Sequence, residues 1–196
     1  FYIKMFGPSF AKKVADEINK IRADPQSYSE KINGYLKYFH GKVLRIPHES
    51  GIETTEGPDA YKEAAEFLTT APKLPPLEVN PLLTDAAKEM VTEMAKFNEI
   101  EEMDAVNRDD VLKKFGHYDG TLGESTDFGS VTPLLACINF IVDDGNESRS
   151  NRKLMFREDY KDMGVACTPH DELGCITLVF YSTDFKEGEG KDDDDE

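Results

Sequence analysis

The chain is poor in the residues from which much small-protein chemistry is built. Across 196 residues it holds three cysteines and four histidines. Three cysteines are too few for a disulfide-stapled scaffold, and none has C-x-x-C spacing, which removes the common zinc and thioredoxin-like motifs. Positive charge is scarce too: 23 Lys and Arg stand against 39 Asp and Glu, a formal net charge of −16. Phosphate backbones and anionic membrane surfaces demand clustered cations, so nucleic acid is not an expected partner. No apolar run approaches the ~18 to 20 residues of a membrane-spanning helix, and the longest, around Leu134 to Val142, is interrupted by Cys137 and Asn139. There is no phosphate loop, dinucleotide fingerprint or H-E-x-x-H. Gly123-Glu-Ser-Thr-Asp-Phe128 lacks the second glycine of a nucleophile elbow. Cys137 lies inside an apolar stretch, where a thiol behaves as an inert small hydrophobe.

What is present suffices for one core of ordinary size. Apolar residues make up 39% of the chain and aromatic residues 10%. Phe10, Val14, Ile18 and Ile21 recur at helical spacing from Ser9 to Ala23, where Pro25 stops the run. Tyr28, Ile32, Tyr35, Leu36 and Phe39 mark a second helix over 27–39, expected to pack on the first. Residues 40–58 carry no sustained period and read as a loop, and 58–70 is again helical. The strongest signal covers Asn80 to Phe97, with Asn80 as cap, Pro81 at the first position, and Leu83, Ala86, Ala87, Met90, Met94 and Phe97 as the buried stripe. Glu99 to Asp110 reads as acidic and irregular, and Gly116 to Gly129 as a glycine-bearing loop suited to polar site residues. Val131 to Val142 predicts a buried helix ended by Gly145. Met163 to Cys167 and Cys175 to Phe180 predict a β-hairpin in which Cys167 and Cys175 could meet at disulfide distance in the right register. Helices first and strands last indicate an α+β layered domain over 1–185, followed by an acidic tail at 186–196. The closing run Lys191-Asp-Asp-Asp-Asp-Glu196 is expected to be solvated unless a partner's basic surface holds it. A start at Phe1 rather than Met leaves the compartment unread.

Three segments together resemble the CAP superfamily, which groups cysteine-rich secretory proteins, antigen 5 and pathogenesis-related proteins, and particularly its microbial and protist SCP-domain members. Ala15 to Pro25 is similar to the family's opening helix with its N-x-x-R-x-x-P ending. Leu74 to Ala87 is similar to P-P-L-x-W-x-x-x-L-x-x-A-A. Leu122-Gly-Glu-Ser125 stands where the family has G-E-N, and Asp143 to Arg152 where protist members read D-D-G-x-x-S-R-G-H-R. The resemblance covers most of the chain and implies a three-layer α-β-α sandwich around a small antiparallel sheet, with a cleft on one side.

In that family two histidines and two acids face the cleft, and in several members the imidazoles bind a divalent metal. This chain departs from the pattern. Glu124 matches the G-E-N glutamate and Asp143 or Asp144 stands for the second acid, but Asn151 replaces one histidine. The other histidine position falls near Glu101 and Glu102. Zinc is therefore not expected. Carboxylate and amide oxygens from Glu124, Asp144 and Glu102 would suit calcium better, and the plainer alternative is a structural polar cluster with Arg152 neutralising a nearby acid. His117 could enter the cleft from its loop, while His40, His48 and His170 read as solvent-exposed.

The expectation is a non-enzymatic CAP-like binding domain with a degenerate metal-site cleft, its ligand a protein partner with a basic surface or a lipid or sterol. A structural accessory subunit of a large assembly, or a divalent-metal-dependent hydrolase, are the alternatives. The resemblance and the sequon Asn146-Glu147-Ser148 point to secretion, and the subunit reading to an intracellular assembly.

Overall fold

The computed structural model describes residues 6–47 and 49–188, so His48 and the run from Lys191 to Glu196 lie outside the described residues. The chain opens with α1 (Pro8–Ala23), in which Val14, Ile18 and Ile21 are wholly buried, and α2 (Pro25–Tyr35), extended by a 3-10 turn at Leu36–Tyr38. The stretch 40–58, expected as a loop, instead carries a small antiparallel meander of β1 (Phe39–His40), β2 (Val43–Leu44) and β3 (Ile52–Glu53). Strands of two residues are too short to leave a period in the sequence. Helix α3 (Pro58–Thr70) follows, and α2 packs mainly on it rather than on α1.

Beyond β4 (Glu78–Val79) comes α4 (Pro81–Met94), whose first turn is capped as its sequence predicts: the Asn80 side chain accepts hydrogen bonds from the N–H groups of Leu82 and Leu83. The acidic segment after it is not irregular. It forms the short helices α5 (Ile100–Asp104) and α6 (Arg108–Leu112), anchored by buried Met103, Val111 and Leu112. Residues 116–129 also depart from expectation, forming β5 (His117–Tyr118) and the seven-residue strand β6 (Leu122–Phe128). Helix α7 (Pro133–Val142) ends at Asp143 in the left-handed conformation (φ 52°), two residues before the expected terminator Gly145, and leads to α8 (Ser150–Met155). The hairpin is longer than its apolar signal, β7 (Asp162–His170) and β8 (Gly174–Ser182), and β9 (Phe185–Lys186) pairs with β5 across position 185.

The central sheet runs β4-β7-β8-β6, antiparallel except for the parallel β4–β7 edge. One face, with Met163, Val165, Val179 and Tyr181, packs on α1, α2, α3, α7 and α8. The other, with Ala166, Ile176, Leu178 and Phe180, packs on α4, α5 and α6. The fold is α+β, with helices on both sides of the sheet. Each fully buried large aliphatic or aromatic side chain in these two layers contributes about 1.5–3 kcal/mol. Gly164 lets α4 lie directly on β7, because a Cβ there would overlap the main chain of Leu83 and Thr84.

The N-x-x-R-x-x-P and P-P-L segments are mutual partners. Asn19 donates to the Leu77 carbonyl (2.9 Å) and accepts from its N–H (2.8 Å), as a second peptide strand would. The Arg22 guanidinium, fully buried, donates to the carbonyls of Pro75, Met155 and Arg157. His170 is a further correction: it is buried, with Nε2 2.8 Å from the Phe97 carbonyl and Nδ1 facing the N–H groups of Glu172 and Leu173, so it locks the hairpin tip to the end of the α4 segment.

Candidate functional site

The edge strand β6, the end of α7 and the start of α8 border a polar cleft of about 310 Å³, roofed by β3 with the following Thr54 and by Tyr61 of α3. Its organisation begins at Asp143. In the left-handed conformation this residue ends α7 and turns its carboxylate onto the next helix, accepting from the Asn151 N–H (2.8 Å), the Asn151 amide (2.9 Å) and the Asn146 amide (3.2 Å). Asp and Asn tolerate this backbone region better than other non-glycine residues, which favours an acid here. Asp144 faces the other way and accepts from the N–H groups of Thr55 (2.5 Å) and Glu56 (2.9 Å), holding the approach to α3.

The arginines beside the cleft are fully engaged. Arg149 forks onto Glu56 (2.5 and 2.7 Å) and reaches Glu63 (2.9 Å), and its guanidinium holds the Glu56 carboxyl down at about 2. Arg152 is buried, forks onto Glu63 (2.6 and 3.0 Å) and donates to the Ile141 carbonyl (2.5 Å), thereby capping α7. It does neutralise a neighbouring acid, though not one of the cleft. Asn146, the sequon asparagine, spends its amide on Asp143 and Ser150.

The deepest acid was not singled out from the sequence. Asp127 of β6 is only 6% exposed; its Oδ1 accepts from the Asn139 amide (2.8 Å), and its Oδ2 is fully buried. Burial outweighs the hydrogen bonds from Asn139 and Ser130 and pushes its carboxyl up to about 6. Perturbed buried carboxyls in clefts mark functional-site candidates. Tyr61 lines the same cleft, its hydroxyl pKa raised by burial and then by Asp144.

The remaining sequence-derived site residues do not join this cleft. Glu124 lies three positions before Asp127 on the same strand, hence on the opposite face. It borders a separate hollow with Met90, Asp104 and Arg108, and burial raises its pKa against the pull of Arg108. Its hydrogen bond is to the Thr126 hydroxyl (3.4 Å), not to loop backbone. Glu102 is exposed on α5, and His117 is exposed on β5. Among the described residues, no three of the His, Cys, Asp and Glu side chains stand together as a metal site. No helix among them is long and apolar enough to cross a membrane.

Neither the protein-family models nor the curated proteins give a match to this chain.

Cys167 pairs with Thr177 and Pro169 with Cys175, so the two cysteines are diagonal neighbours on one sheet face, their sulfurs 2.7 Å apart. They are free thiols here, and the contact lowers the Cys167 pKa while raising that of the more buried Cys175. Close by, β4 covers β7 only at Asp162 and Met163, leaving the next part of the β7 edge open. Along it runs a groove of about 340 Å³ between α1 and α4, walled by Pro8, Ala11, Ala15, Val79, Val165 and Ala166. Lys12 and Lys88 stand at its sides.

Proposed function

We propose that this chain is a non-enzymatic binding domain of the CAP/SCP type whose ligand is an amphipathic lipid with an anionic head, lodged in the groove between α1 and α4. The observation that carries the reading is that groove: small side chains on α1 leave room beside an uncovered sheet edge, its walls are apolar, and each flanking helix contributes one lysine. Lys12 and Lys88 are paired with Asp16 and Asp85 in exposed surface bridges (2.7 Å each), which hold little energy, so a carboxylate head is taken up at the groove's rim by exchange with those side chains. The non-enzymatic part rests on the cleft, where Asp143, Asp144, Asn151, Arg149 and Arg152 all spend their polar groups on the fold. Glu124, the acid a hydrolase of this type would need beside them, borders a different hollow.

The test is titration with a fluorescent fatty acid, followed by displacement with stearate and with stearyl alcohol. Saturable binding is expected, with stearate the better competitor. Ala11→Leu, which fills the groove, should abolish it; Lys88→Glu, on an exposed lysine, should weaken stearate and spare the alcohol. Absence of saturable signal in the unmodified chain overturns the reading.

A further inference from the structure

The groove between α1 and α4 contains a reactive group that binding alone does not use. Cys167 of β7 lines it beside Val165 and Ala166 and is half-buried. Cys175 of β8 is 1% exposed and is not part of the groove wall, yet its sulfur stands 2.7 Å from that of Cys167. The Thr177 hydroxyl donates to the Cys167 sulfur (3.5 Å). The contact with Cys175, and more weakly that with Thr177, favours the Cys167 thiolate against the pull of burial, and the thiolate is the form that attacks electrophiles. On Cys175 the same contact, and then burial, keep the proton in place. Cys137 offers the contrast: it is wholly buried in α7, its sulfur faces the Val14 carbonyl (3.8 Å), and burial raises its pKa.

The division of labour within the pair selects the chemistry. A soft metal ion needs both sulfurs open to it, and Cys175 is closed. An unsaturated carbonyl on a lipid chain would alkylate Cys167 and leave Cys175 without a role. A hydroperoxide uses both. It turns a thiolate into a sulfenic acid, and a sulfenic acid condenses with a neighbouring thiol to a disulfide. Those steps require one sulfur within the occupant's reach and a second that touches the first but is shielded from the occupant, which is how Cys167 and Cys175 stand. The apolar walls supply the rest, since an acyl chain laid along the open β7 edge passes Cys167.

We propose that the Cys167 and Cys175 pair reduces the hydroperoxide of a fatty acid lodged in the groove, an inference that rests on the lipid reading of that groove. The Cys167 thiolate attacks the terminal peroxide oxygen. An S–O bond forms, the O–O bond breaks, and the alkoxide leaves, taking a proton from water to become the hydroxy acid. Cys167 is then a sulfenic acid. The Cys175 sulfur attacks the Cys167 sulfur while its own proton passes to the departing hydroxide, so the S–O bond breaks, the S–S bond forms and water leaves. Two electrons have passed from the dithiol to the peroxide. Each chain reduces one hydroperoxide and stops as the disulfide, so the reaction is stoichiometric and asks nothing of the acidic cleft.

The test mixes the fully reduced chain with one equivalent of linoleic acid hydroperoxide or of hydrogen peroxide. The hydroxy acid is followed by chromatography, and the protein by intact mass and non-reducing peptide mapping. A bridge between Cys167 and Cys175 is expected, in equal amount with the hydroxy acid and slowed by excess stearate. It should form at least about tenfold faster from the lipid hydroperoxide, because the groove holds the reacting group beside the thiolate. Cys175→Ser should still yield the hydroxy acid but stop at a Cys167 sulfenic acid that dimedone labels. Cys167→Ser and Cys167→Ala should end the reaction, and Cys137→Ser should leave it unchanged. Each variant's fold is checked by its urea midpoint and by binding of the fluorescent fatty acid. Fatty-acid binding combined with equal rates from the two peroxides, a lipid adduct in place of the bridge, or undiminished reduction by a folded Cys167 variant overturns this inference and leaves the groove reading standing. Absence of fatty-acid binding in the unmodified chain overturns both.

Discussion

Asp127→Asn should make the protein more stable at neutral pH than the unmodified chain, and the gain should vanish on acidification. In the folded state the Asp127 carboxyl is pushed up to about 6, well above the 3.8 of a free aspartate, because burial disfavours its charge. The folded state therefore holds this proton more tightly than the unfolded state. Asp127 contributes its stabilisation in full below the unfolded value and loses it as pH rises through the folded one. Integrating between about pH 4.5 and about pH 7.5 gives a loss of about 2 kcal/mol from this one group. Asparagine cannot ionise and escapes that loss while keeping an oxygen for the Asn139 amide. The assay is urea unfolding of both proteins at several pH values, reading the gap between them, so that every other acid cancels. The gap should widen towards neutral pH by about 2 kcal/mol with unchanged denaturant slope. A gap constant across the range would show that Asp127 is not held in the dry surroundings described.

Other expectations follow from packing and capping. Gly164→Ala forces α4 off the sheet and should cost about 1–3 kcal/mol, measurable as a lower urea midpoint; an unchanged midpoint would mean the helix yields freely. Arg152→Ala leaves the carbonyls at the end of α7 uncapped, while Glu63, half exposed, keeps its bond to Arg149, for a loss of about 1–2 kcal/mol, whereas Arg152→Lys should recover only part because one ammonium cannot span both groups. Exposure to a low-molecular-weight disulfide should oxidise Cys167 and Cys175 to an internal bridge, releasing two small thiols and leaving Cys137 reduced. Peptide mapping without reductant reads this directly, and a mixed disulfide persisting on Cys167 would refute the geometry.

Helix α3 was legible to the residue because Pro58 opens it and Pro72 follows soon after, and α4 carried its cap and most of its stripe in plain sight, but the helix stops at Met94 and Phe97, expected on the buried face, is exposed beyond it. Strand β6 was not, for a physical reason. Its inward residues are Gly123, Ser125 and Asp127 and its outward face includes Glu124 and Thr126, so the apolar alternation that announces a strand is missing. The contact between Asp143 and Asn151 could be anticipated because both stand in one short motif. The place of Glu124 could not: a motif aligns residues along the chain, while the pleat sends alternate ones to opposite faces. With β6 mistaken for a loop, Asp127 had no direction and its partner Asn139 no role. His170 misled for the opposite reason, since its position at a hairpin tip hid a bond to Phe97 that only the tertiary fold creates.

The guanidinium of Arg22 sets an order of events during synthesis. Its acceptors lie at Pro75, Met155 and Arg157, so two of the three carbonyls that pair this cation of the first helix are made more than a hundred positions later. Until the last quarter of the chain emerges, burying α1 would strand a charge in an apolar core at a cost of several kcal/mol. The opening helix therefore reaches its fully paired docking only once α8 and the two residues after it are in place.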